Sequence, residues 1–172
     1  MKVPWKLLFL AVLWAILPLR AQQVADCPCC DPVYRSFDFW IGEWEVSQAD
    51  GRPAGTNRIV RLQDGCVLQE HWESALPGVT GTSFTFYNRG SGKWEQLWVD
   101  NSGNVLKLSG GPRENAMVLA SDPAPGPDGT PLVNRITWTS EGDGRVRQRW
   151  EVLREGAVTR VLFDGYYKRI RK

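Results

Sequence analysis

Between Trp44 and Tyr167 the chain is made of short runs in which apolar and polar residues alternate, separated by Gly, Asn, Asp or Pro. The runs are Trp44–Ser47, Thr56–Leu62, Cys66–Glu73, Thr80–Tyr87, Lys93–Val99, Val105–Ser109, Ala116–Ser121, Val133–Ser140, Val146–Leu153 and Val158–Tyr167. A period of two puts successive side chains on opposite faces, so each run reads as a strand with one face turned to a core. Ala49-Asp50-Gly51, Gln63-Asp64-Gly65, Asn88-Arg89-Gly90-Ser91-Gly92, Asn101-Ser102-Gly103 and Glu141-Gly142-Asp143-Gly144 tolerate positive φ and suit hairpin turns. Ser121 to Pro131 reads as a longer Pro-rich loop. No stretch after Gly42 has a helical period of useful length, which speaks against a parallel α/β fold. The expected fold is all-β: about ten antiparallel strands in an up-and-down meander, closed into a barrel so that no edge stays open.

The run Phe37-Asp38-Phe39-Trp40-Ile41-Gly42-Glu43-Trp44-Glu45-Val46 opens this pattern. Phe37, Phe39, Trp40 and Ile41 present apolar side chains on nearly every side, which suits a short helical plug pressed on a core. Gly42 permits a sharp change of direction, and Trp44 then carries the largest apolar area of the first strand inward. An aromatic-rich strand of a β-sandwich is the alternative.

Lys2 and Lys6 precede an apolar run from Leu7 to Leu19, and Ala21 offers a small residue for cleavage, so residues 1–21 read as a secretory signal peptide. An uncleaved anchor and a lipid-modified Cys27 are the alternatives; the apolar run is short for a span, and Asp26 stands where lipidation needs a small residue. Residues 22–36 form a Cys-rich leader, 37–168 the barrel and 169–172 a basic tail. The whole chain carries 21 basic and 19 acidic residues; without Lys2, Lys6 and Arg20 the balance becomes 18 to 19. Neither a nucleic-acid partner nor membrane insertion after signal removal is implied.

Cys27, Cys29 and Cys30 crowd the leader, and Cys66 is the only other cysteine. In an oxidising compartment the expectation is a disulfide from the leader to Cys66, with Cys30, nearest the folded run, as the expected partner. The Cys27-x-x-Cys30 spacing also admits a redox or metal reading, although it lies in a Pro-rich leader and not between a strand and a helix.

Gly42-x-Trp44 at the start of the first strand resembles the Gly-x-Trp signature of the calycins, which include lipocalins and fatty-acid-binding proteins. The longer Phe-Asp-Phe-Trp-x-Gly-Glu-Trp run resembles a group of exported bacterial proteins with calycin-type barrels. Gly65-Cys66-Val67-Leu68-Gln69-Glu70-His71-Trp72 and Leu97-Trp98-Val99-Asp100-Asn101-Ser102-Gly103 extend the likeness to about Gly103. The resemblance implies a barrel around a pocket that holds a small apolar molecule non-covalently. It does not extend to particular ligands. Arg160 is followed by Val161-Leu162 and not by the Arg-x-Tyr pair that holds fatty acids, and the Thr-Asp-Tyr motif of lipocalins is missing. Haem in nitrobindin-like barrels sits on a late histidine, whereas the single histidine here is His71 on the third strand. The cofactor is left open.

Three strands repeat a polar residue two before a tryptophan: Glu70/Trp72, Gln96/Trp98 and Gln148/Trp150. With the tryptophans inward, these polar residues also face inward, together with Leu68, Trp94, Asp100, Val146 and Val152. Arg145, Arg147, Arg149 and Glu151 then point to water, and His71 lies with Val67 and Gln69 on the outer face. Such an interior suits a small apolar or aromatic molecule. A barrel filled by its own tryptophans is the competing reading, and Glu70 or Asp100 as an acid–base group of an enzyme is a third. No nucleophile elbow, phosphate loop or metal-spaced histidine set is present in the sequence.

Overall fold

The computed structural model describes residues 27–170. The signal peptide expected at 1–21 lies outside the described residues. Eleven strands form one antiparallel sheet: β1 (Gly42–Gln48), β2 (Pro53–Leu62), β3 (Val67–Ser74), β4 (Thr80–Asn88), β5 (Lys93–Asp100), β6 (Val105–Arg113), β7 (Ala116–Ala120), β8 (Ala124–Pro125), β9 (Pro131–Ser140), β10 (Val146–Arg154) and β11 (Ala157–Arg169). Each strand pairs with the next, except that β7 pairs with β9 and the two-residue β8 hangs on the end of β9. Pairing of β11 with β1 closes ten strands into an up-and-down barrel, an architecture consistent with a calycin-like fold. The loop expected from Ser121 to Pro131 therefore contains one short strand. Among the described residues no helix is long and apolar enough to cross a membrane.

The segment before β1 plugs one end of the barrel. A 3-10 turn at Asp38–Trp40 drives Phe37 and Trp40 into complete burial, with Phe39 and Ile41 packed at its side. Phe37 stacks on Trp40 at 4.9 Å between ring centroids and meets Trp94 at 6.0 Å and Trp138 at 5.2 Å edge-on. Aromatic edges placed on faces in this way add to the area they bury. Trp44 ties plug to barrel, because its indole Nε1 donates to the Trp40 carbonyl at 2.9 Å.

Gly42 has φ +147°, and a Cβ there would lie 2.3 Å from a guanidinium nitrogen of Arg169. That guanidinium sits 4.3 Å over the Trp44 ring and donates to the Ile41 carbonyl at 2.9 Å. Arg169 is thus the last residue of β11, one past the barrel end expected at 168, where pairing with Trp44 gives it a ring to cover.

The leader is pinned by two disulfides, Cys27–Cys30 and Cys29–Cys66. The expected Cys30–Cys66 bridge is corrected to Cys29. The chain turns tightly over Cys27–Cys30, where the amide of Cys30 donates to the Cys27 carbonyl at 3.1 Å, so Cys30 folds back on Cys27 and the buried Cys29 faces the barrel. Cys66 itself lies just before β3, after a 3-10 turn at Gln63–Gly65. Arg89, in the β4–β5 turn, holds the leader from the other side through Tyr34, donating to its hydroxyl at 2.7 Å.

Candidate functional site

Beyond the plug, the barrel interior becomes polar and then opens. Glu70 of β3, Gln96 of β5 and Gln148 of β10 occupy its middle, and Trp72, Trp98 and Trp150, two residues further along the same strands, stand at its mouth. All six line one cavity of about 180 Å³. Ile136 and Trp138 of β9, Leu106 of β6, and Leu162, Phe163 and Tyr167 of β11 complete the wall. Trp72, Trp98 and Trp150 are only half-buried, and Leu162, 41% exposed, stands at the rim.

Leu162 and Phe163 reach the same cavity although they are neighbours in sequence. The β10–β11 register passes from Trp150↔Phe163 to Glu151↔Val161 and leaves Leu162 unpaired, a bulge that breaks the period of two. Three glycines make room for the aromatic wall. A Cβ at Gly55 would lie 2.9 Å from the Trp72 ring, one at Gly81 2.2 Å from Trp98, and one at Gly165 2.3 Å from Phe163. Each ring therefore lies against backbone that no Cβ covers.

Glu70 is the chemical focus, 5% exposed in its buried setting. Asn57 Nδ2 donates to its Oε1 at 2.7 Å and Ser83 Oγ to its Oε2 at 2.7 Å. Burial raises its carboxyl to about 7, against the lowering effect of the Ser83 and Asn57 hydrogen bonds. Tyr167, also buried, donates its hydroxyl to Gln148 Oε1 and accepts from Asn57 Nδ2 at 3.4 Å. Burial, and then the Glu70 charge, hold the Tyr167 phenol well above its ordinary range. Gln96 donates to Thr85 Oγ1 at 2.9 Å, and Trp150 Nε1 to Asn134 Oδ1 at 2.9 Å. Among the described residues, no Arg, Lys or His lines the cavity.

Asp100 is not brought to this site. It ends β5 at the rim and folds over the next turn, accepting from Ser102 Oγ at 2.6 Å and Asn104 Nδ2 at 3.0 Å. Those hydrogen bonds hold its carboxyl at about 2. The alternation that carries Trp98 inward also reaches Asp100, but the barrel wall ends there, so the side chain caps a turn. Glu151 likewise departs from expectation. It lies on the outer face but is buried, because Arg135 Nη2 reaches it at 2.7 Å and Arg149 Nε at 2.8 Å. His71 sits on the outer face beside Arg58, half-buried, its imidazole pKa lowered by desolvation and then by that charge.

Sequence reasoning did not single out Asn57, Ser83, Tyr167, Phe163 or the three glycines as site residues. Asn57 and Ser83 flank Glu70 through the pairings Asn57↔Trp72, Ile59↔Glu70 and Glu70↔Ser83, which only the register reveals. Among the described residues, no group of three His, Cys, Asp or Glu side chains is placed to hold a metal ion. No protein-family model matches this chain, and no curated protein matches it.

Proposed function

We propose that this chain is an exported binding protein that holds a small apolar or aromatic molecule in the barrel. The observation that carries the reading is the open cavity with tryptophan walls and a hydrogen-bonded polar floor; pockets of this composition bury apolar bodies and orient them by a few polar groups. Export is supported by the signal-like residues 1–21 and by two disulfides, which persist in oxidising compartments. The calycin resemblance of Gly42-x-Trp44 supports the same function, and with it the division into leader, barrel and short tail.

Native mass spectrometry of the exported protein from its own host tests the reading. A discrete added mass that disappears on denaturation is expected. A bare protein that also takes up no apolar probe would favour a filled, structural barrel instead.

A second reading, acid–base catalysis, is favoured by one observation: a buried carboxyl titrating at about 7 beside the cavity. Under that reading Glu70→Gln abolishes turnover of the bound compound and leaves its binding in place. Under the carrier reading the bound compound leaves the protein chemically unchanged.

A further inference from the structure

Among the described residues, the cavity wall contains an acid and no Arg, Lys or His. Glu70 lies among neutral partners, Asn57 from β2 and Ser83 from β4, with Gln96 and Gln148 lining the same cavity from β5 and β10. Among the described residues, the other titratable group lining the cavity is Tyr167 from β11, which holds its proton at neutral pH. Each carboxylate oxygen accepts one hydrogen bond from these partners and has capacity for a second. Gln96 commits its amide nitrogen to Thr85, which leaves its carbonyl oxygen as a further acceptor beside the cavity. Around this floor stand Trp72, Trp98 and Trp150, and the faces of such rings attract cations.

A buried carboxylate without a counter-charge is costly, and a cation supplied from outside removes that cost. Resting on the binding-protein reading above, we propose that the cavity takes a small cationic amine, its ammonium group seated on Glu70 and its body held between the mouth tryptophans. The dimensions set the size of the body. An apolar protein cavity of about 150 Å³ takes up benzene, so one of about 180 Å³ suits a single ring with a short aminoalkyl arm. A carboxylate ligand is disfavoured, because it would face Glu70 with no cation among the described lining residues to hold it. Gln148 supplies a donor, its amide nitrogen, which a ligand hydroxyl can use without changing this preference.

Three probes of similar shape and different charge test the proposal: phenethylamine, 2-phenylethanol and phenylacetate, titrated calorimetrically into the disulfide-bonded protein at pH 8. The amine should bind at least about tenfold more tightly than the alcohol, and phenylacetate should not bind in the same concentration range. Below about pH 7 the amine should lose up to about tenfold in affinity per pH unit as Glu70 takes up a proton, while the alcohol is unaffected. Glu70→Gln should erase the preference for the amine and keep the alcohol. Equal or tighter binding of the alcohol or of phenylacetate by the unmodified protein overturns the amine assignment and leaves the pocket standing. Retention of the preference by Glu70→Gln overturns it as well. Failure of all three probes to bind at millimolar concentration overturns the pocket reading itself and this proposal with it. The ranking in the unmodified protein decides the matter even where the variant folds poorly.

Discussion

The two ends of this barrel use the same residue type in opposite ways. At the plugged end Trp40, Trp44, Trp94 and Trp138 are buried: Trp40, Trp94 and Trp138 pack on Phe37, Trp44 packs on Tyr167, and Trp138 also borders the cavity. At the mouth Trp72, Trp98 and Trp150 are only half-buried, and Trp72 and Trp98 lie against a glycine. A fully enclosed indole contributes its whole apolar area to folding. A half-enclosed one leaves area for a ligand, and its stabilising contribution is smaller by that share. The difference between fold and site here is therefore one of coverage, not of composition.

The comparison is broken or sharpened first by deletion at each end. Trp44→Ala should cost about 3–5 kcal/mol of stability, since it leaves a cavity and strips Arg169 of the ring it covers. Trp150→Ala should cost about 1–2 kcal/mol and weaken ligand uptake instead. Equal denaturation midpoints for the two variants would refute the division of labour. The leader gives the next largest contrast. Opening Cys29–Cys66, which spans 37 residues, with Cys29→Ser should cost about 2–4 kcal/mol, whereas opening Cys27–Cys30, which spans 3, should cost distinctly less because the loop it closes is short. Urea titrations of both variants measure this.

At the floor between the two ends, stability should follow pH. The Glu70 carboxyl is raised in the folded state to about 7 from an ordinary 4.5, so the folded protein binds the extra proton between those values. Its contribution is present in full below about pH 4.5 and is lost as pH rises through about 7, a decline of roughly 3 kcal/mol. The difference in stability between the unmodified protein and Glu70→Gln across pH 4–8 isolates the effect; a difference that stays flat would show that Glu70 is not desolvated. The smallest expected effect is at the seat of a mouth tryptophan. Gly81→Ala pushes the Trp98 ring from its place and should cost about 1–2 kcal/mol, with a larger loss in probe binding than in stability. An unchanged affinity would mean that the ring's position does not shape the cavity.

Much of this was legible in the chain. The period of two, punctuated by Gly, Asn and Asp, determined an antiparallel meander and put Glu70, Gln96 and Gln148 on the same faces as their tryptophans, with which they line one cavity. The run at residues 37–41 determined a plug, because its four apolar side chains, Phe37, Phe39, Trp40 and Ile41, leave little polar surface to offer water. Other features depend on distances between strands, which no single strand carries. The Leu162 bulge reverses inward and outward locally, and the end of the wall leaves Asp100 at the rim although its parity matches Trp98. Register alone sets Asn57 and Ser83 on either side of Glu70, and a tight turn selects Cys29 over Cys30. Alternation is a local consequence of strand geometry and can be read from the residues; the company a side chain keeps is set by closure of the barrel, which brings β11 back to β1 and Tyr167 to Asn57.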